Sequence, residues 1–138
     1  MEWSELVGSR WQGKCELWED PLGDVAQTSE CSVAVDANAL TYTWSYKGKP
    51  HQGRLELSAD GAEFVDSWHQ EKPIKGERLP SGAIATVRYT YMEEWGWRIN
   101  LCHRTPSDEL VLQMTNIAPW GEEARAVRMV CQRAPGPA

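Results

Sequence analysis

Apolar and polar positions alternate with a period of two along most of the chain, the pattern of strands with one dry and one wet face. In the first such segment Trp11, Gly13, Cys15 and Leu17 share one side and Gln12, Lys14 and Glu16 the other. Cys31, Val33 and Val35 follow. After a turn at residues 36–38, Leu40, Tyr42, Trp44 and Tyr46 face inward and Thr41, Thr43, Ser45 and Lys47 outward. Lys47-Gly48-Lys49-Pro50 reverses the chain, and His51, Gly53, Leu55 and Leu57 return on the inner side, so these two strands form a hairpin. Phe64 sets the register of the next segment, placing Asp66 and Trp68 inside and Ser67 and His69 outside. Ala85, Val87, Tyr89 and Tyr91 then share a face, as do Trp97, Ile99 and Leu101, then Leu110, Leu112 and Met114. In the last segment Val127, Met129 and Cys131 alternate inward, and unbroken alternation carries Arg125 and Arg133 to the same face. Helical periodicity is nearly absent, although the opening residues leave room for a short helical segment.

The alternating segments number nine, and nine strands in sequential antiparallel order would bring the first and last together parallel. A short strand within 73–79 makes the number even and lets the sheet close, which removes exposed edges. The expected fold is therefore all-β, a single antiparallel up-and-down barrel of about ten strands spanning residues 1–138, with a frayed Pro-rich tail at 134–138. Up-and-down order places Trp18, His51, Trp68, Trp97, Asn116, Trp120 and Arg125 at one end and Trp11 and Arg133 at the other.

Composition narrows the function classes. The 138 residues suffice for one domain, and the net charge of -6 lacks the basic footprint of a nucleic-acid or anionic-membrane partner. The opening Met1-Glu2-Trp3-Ser4-Glu5-Leu6 has neither the cationic nor the apolar region of a signal peptide, so a cytoplasmic protein is expected. Cys15, Cys31, Cys102 and Cys131 lack metal-ligand spacing and read as reduced packing residues. No cofactor or metal is implied. The aromatic set is skewed, with eight Trp and four Tyr against one Phe. Rings that carry a hydrogen-bonding group suit a surface that is apolar beside polar atoms, as in a ligand cavity.

Trp11-Gln12-Gly13 after Gly8, with inward arginines in the last strand, resembles the calycin superfamily: lipocalins, fatty-acid-binding proteins and the haem-binding nitrobindins. The resemblance implies that Trp11 closes the barrel base under Arg133. The segments Tyr42–Tyr46, Asp66–Gln70, Trp95–Ile99 and Thr115–Glu123 look like an uncharacterised bacterial family of lipocalin-like barrels, a likeness that brings no established function. Gly8 and Trp11 are spaced G-x-x-W where lipocalins have G-x-W, and nothing after His103 is a histidine that matches the nitrobindin haem ligand.

The expected site is the barrel mouth and upper cavity: His51, Asp66, Trp68, Tyr91, Trp97, Asn116 and Arg125, with Tyr42, Trp44 and Tyr89 deeper. Aromatic walls with a few placed polar groups suit a small apolar or amphipathic molecule. Arg125 points to a ligand carboxylate, or else it pairs with Asp66. Glu93-Glu94 and Glu122-Glu123 lie near the same end and disfavour an anion. Two other readings compete: a barrel enzyme in which Asp66 orients His51 for proton transfer, and an interaction module, or a homodimer contact, built on the Trp-rich rim.

Overall fold

The computed structural model describes residues 2–19, 26–59, 61–67 and 70–134. A helical turn, α1 (Trp3–Leu6), precedes ten strands: β1 (Arg10–Trp18), β2 (Ala26–Val35), β3 (Ala39–Tyr46), β4 (Lys49–Leu57), β5 (Ala62–Asp66), β6 (Gln70–Arg78), β7 (Ala85–Tyr91), β8 (Trp95–Arg104), β9 (Glu109–Ile117) and β10 (Glu123–Arg133). A 3-10 turn at Thr105–Ser107 joins β8 to β9. Every strand pairs antiparallel with its sequence neighbour, and β10 returns to β1, so the sheet is a closed ten-strand barrel. The tenth strand needed for even closure is β6, starting at Gln70 rather than near residue 73. Residues 135–138 of the expected tail lie outside the described residues, while Ala134 still donates its N–H to Arg10 O at 2.8 Å.

One departure from strict alternation decides where a key side chain goes. The β9–β10 register shifts between Arg125 and Val127, leaving Ala126 as an extra residue, and Ala126 and Val127 are both buried. A bulge of this kind puts two residues of one strand opposite one of its neighbour and reverses the face of whatever precedes it. Val127 and Met114 remain inward, but Arg125 pairs with Thr115, which pairs with Arg98, a row on the outer wall. Arg125 is exposed, and its guanidinium lies over the Trp18 ring, 4.5 Å from the centroid. The expectation of an inward Arg125 is thus corrected: two-residue counting cannot see one inserted alanine.

The two ends of the barrel differ. At the lower end, α1 packs beneath the β2–β3 turn, and Trp3 donates its indole N–H to Asp36 O and Ala37 O, both at 3.1 Å. Trp11 is fully buried there, with the Arg133 guanidinium 4.4 Å from its ring centroid. Arg133 is held by Asp108, which also accepts from His103 Nε2 at 2.7 Å, and His103 meets Trp11 edge-on. This base is sealed by named contacts, which leaves the upper end, with the β3–β4, β5–β6, β7–β8 and β9–β10 turns, for a site. No helix among the described residues is long and apolar enough to cross a membrane.

Two glycines let large groups meet inside. Gly13 stands between Cys31 and Cys131 in register, and a Cβ there would lie 2.0 Å from Val130 O, so the neighbouring strands press onto bare backbone. The Cys31 and Cys131 sulfurs come within 3.6 Å over this gap, and all four cysteines are free. Burial pushes the Cys15 thiol up to about 12, as expected of a packing residue. On the other side of the barrel, Gly53 pairs with Tyr42 on β3 and Asp66 on β5. A Cβ at Gly53 would fall 2.2 Å from Tyr42 Cζ, so the missing side chain is where the Tyr42 ring lies.

Candidate functional site

The Tyr42 ring crosses β4 over Gly53, and its hydroxyl donates to Asp66 Oδ2 at 2.5 Å. The Trp44 indole N–H donates to the same oxygen at 3.2 Å. Asp66 is 4% exposed and is the only buried Asp, Glu, Lys or Arg among the described residues. Burying a carboxylate costs several kcal/mol even after the surroundings relax, and charge-assisted hydrogen bonds offset that cost. Burial, then the Asp66 charge and hydrogen bond, raise the Tyr42 hydroxyl well above its ordinary value, so Tyr42 remains a protonated donor at neutral pH. Tyr89, also raised chiefly by burial, stays neutral as well.

Around this carboxylate the interior is filled by its own side chains. Tyr42, Trp44, Phe64, Asp66, Trp97, Met114, Val127 and Met129 enclose a void of about 10 Å³. One ordered water needs roughly 10–15 Å³ of such space, so the void is at the threshold for a single water and far below an organic ligand. Above it the residues become half-buried. Tyr91 donates its hydroxyl to Asn116 Oδ1, and its ring meets Trp97 at 81° and Tyr89 at 60°. His51 stacks on Trp44, with centroids 5.0 Å apart, and its Nδ1 hydrogen-bonds Ser67 Oγ at 3.0 Å.

The upper rim above Tyr91 was only partly foreseen. Trp95 is half-buried and Trp120 is 72% exposed, and their rings stand at 72° with centroids 5.7 Å apart. Met92, 77% exposed, shares the rim, and the turn that presents it holds both Met92 and Glu93 at positive φ. Glu122 accepts the Trp120 indole N–H at 3.2 Å. The turn pattern places these residues at strand ends, but sequence cannot show that the β7–β8 and β9–β10 turns bring two indoles together.

Of the ten expected site residues, Tyr42, Trp44, Asp66, Tyr89 and Trp97 are buried inside, and His51, Tyr91 and Asn116 lie half-buried at the upper end. Trp68 lies outside the described residues. Arg125 is on the outer wall over Trp18, so neither a cavity carboxylate site nor an Asp66 partner is built from it there. The pairing that proton transfer requires is not made: His51 turns to Ser67 and Trp44, and the Trp44 indole stands between it and Asp66. No group of three or more His, Cys, Asp or Glu among the described residues is arranged to hold a metal. No protein-family model matches the chain, and no curated protein matches it.

Proposed function

We propose that this calycin-like barrel is a cytoplasmic protein that binds a small, partly apolar molecule at its upper end. The observation that carries the reading is Asp66. A barrel that only had to fold would fill that position with an apolar side chain, and replacing buried ionic groups in this way is often neutral or stabilising. Here a buried carboxylate is instead oriented by Tyr42 and Trp44 beneath half-buried Tyr91, Asn116 and His51. Aromatic walls with a few convergent polar groups suit ligand recognition. The filled interior and the void of about 10 Å³ favour a ligand over the packed rings, at the mouth, rather than deep in the barrel.

Native mass spectrometry of the protein as purified, compared with the same sample denatured, tests this. A mass increment that disappears on denaturation supports the reading and gives the formula of the ligand. A bare chain mass, together with no saturable binding of amphipathic probes, overturns it. A second reading, a protein contact through the rim, is favoured by exposed Met92 and Trp120 on the β7–β8 and β9–β10 turns, which the Trp95–Trp120 ring contact joins, since exposed apolar patches mark interaction surfaces. Substituting Met92 by Ser would weaken such a contact while leaving ligand retention in the first experiment unchanged.

A further inference from the structure

We propose that the ligand at the upper end is an organic cation, an alkylammonium with a small apolar body, an inference that rests on the ligand-binding reading above. The bulge at Ala126 turns Arg125 to the outer wall, and Asp66 is left as the only buried Asp, Glu, Lys or Arg among the described residues. A carboxylate in a low-dielectric interior selects strongly for positive charge or for hydrogen-bond donors, and it repels anions. The rings around it act in the same direction. Trp44, Phe64 and Trp97 line the small void beside Asp66, which no organic ligand enters, so a cation at the mouth meets this interior from outside. The negative face of an aromatic ring attracts a cation, indole most strongly.

The rim repeats this chemistry where solvent can reach it. Trp95 and Trp120 form a near-perpendicular corner, and Glu122 is hydrogen-bonded to the edge of one of its rings. Glu93 and Glu94 stand on the adjoining turn. Basic groups near this end are Lys47 and Lys49 on the β3–β4 hairpin and Lys72 on β6, with Arg88 and Arg98 on the outer wall beside Gly96 and Glu123 and Arg125 over Trp18. The arginines flanking the β7–β8 and β9–β10 turns thus face Glu123 or Trp18 on the outer wall, while Glu93, Glu94 and Glu122 stand on those turns with Trp95 and Trp120. The protein already seats its own cations on rings: Lys47 on Tyr46 at 5.2 Å, Arg125 on Trp18 at 4.5 Å and Arg133 on Trp11 at 4.4 Å.

Three probes of nearly one shape separate charge from shape: choline, its neutral isostere 3,3-dimethyl-1-butanol, and the anion 3,3-dimethylbutanoate. The readout is the set of indole N–H resonances of the intact protein, assigned by Trp→Phe substitution. Choline is expected to shift the Trp95, Trp97 and Trp120 signals saturably, about tenfold more tightly than the alcohol, and the anion to shift none. Asp66→Asn keeps the shape and one acceptor, and Glu122→Gln is an exposed change that leaves the interior intact. Each should weaken choline and leave the alcohol unchanged. An alcohol that binds as tightly as choline, or an anion that binds best, overturns the cation inference and leaves a ligand-binding mouth standing. If no probe moves any indole signal, the inference fails, and the mass-spectrometric comparison decides separately whether the binding reading fails with it.

Discussion

Gly53 is the residue on which the Asp66 cluster rests. Its missing side chain gives the Tyr42 ring a path across β4, and the ring delivers its hydroxyl to Asp66. Gly53→Ala would drive a methyl to 2.2 Å from Tyr42 Cζ, which only a shift of the ring can relieve. The expected loss in urea unfolding is about 1–3 kcal/mol, the range for overpacking. Tyr42→Phe keeps the ring and removes the donor, and it should destabilise by about 1–3 kcal/mol because the buried acceptor loses a charge-assisted bond. Stability unchanged within error in Tyr42→Phe would show that the hydroxyl does not hold Asp66. Alternation alone marked Asp66 as an inward acid and Tyr42 and Trp44 as inward rings of the β3–β4 hairpin, so the cluster's members were legible. Its geometry was not, because period two assigns a face and says nothing of a ring lying flat over a glycine.

At the scale of elements, β10 shows what one inserted residue does. Ala126 and Val127 are consecutive buried apolar residues, and that doublet is the only sequence trace of the bulge that sends Arg125 outward. Deleting Ala126 would remove the bulge and bring Arg125 next to inward Val127 in regular register with Thr115 and Met114, so Arg125 would stay on the outer wall. The deletion variant should therefore stay folded, losing only about 1 kcal/mol for the missing buried methyl group in urea unfolding. A variant that unfolds would mean that the extra residue does more than set the face of Arg125. Strand ends are also clamped by ion pairs that titrate. The Arg98 guanidinium holds the Glu123 carboxyl below its ordinary 4.5, and Arg133, then His103, hold Asp108 below its ordinary 3.8. Carboxyls with lowered values contribute stability above their unfolded-state values and lose it as pH falls through the folded-state ones. Melting temperature should therefore be flat near neutrality and fall below about pH 4.5, and Arg98→Gln should make that fall shallower. These groups are exposed enough for solvent to screen them, so the effect is modest. An acid limb identical in both proteins would remove Glu123 from the account.

At the scale of the whole molecule, strand number, order and closure followed from counting segments and requiring an antiparallel seam between β1 and β10. Whether the barrel is hollow did not follow, because the filling depends on how rings from opposite walls interdigitate. The filled interior raises the question of where the wall gives. Among the described residues β6 and β7 are joined in register only at Glu77 with Arg88 and Arg78 with Val87, near the lower end, with Leu79 N–H to Thr86 O at 2.9 Å below them. By contrast β8 and β9 pair continuously from Gly96 with Ile117 to Arg104 with Glu109. A seam with few ladder hydrogen bonds opens at lower free energy than the rest, and local opening is what amide exchange reports. Amides of β6 and of the β6-facing side of β7 should exchange faster than those of β8, β9 and β10. Tyr89 and Tyr91 border that seam and lie beside the upper-end rings, so a ligand engaging the mouth should slow exchange there first. Protection spread evenly over all ten strands would show that the barrel opens only by global unfolding. A ligand would then have to be held entirely by the rim residues that are already exposed.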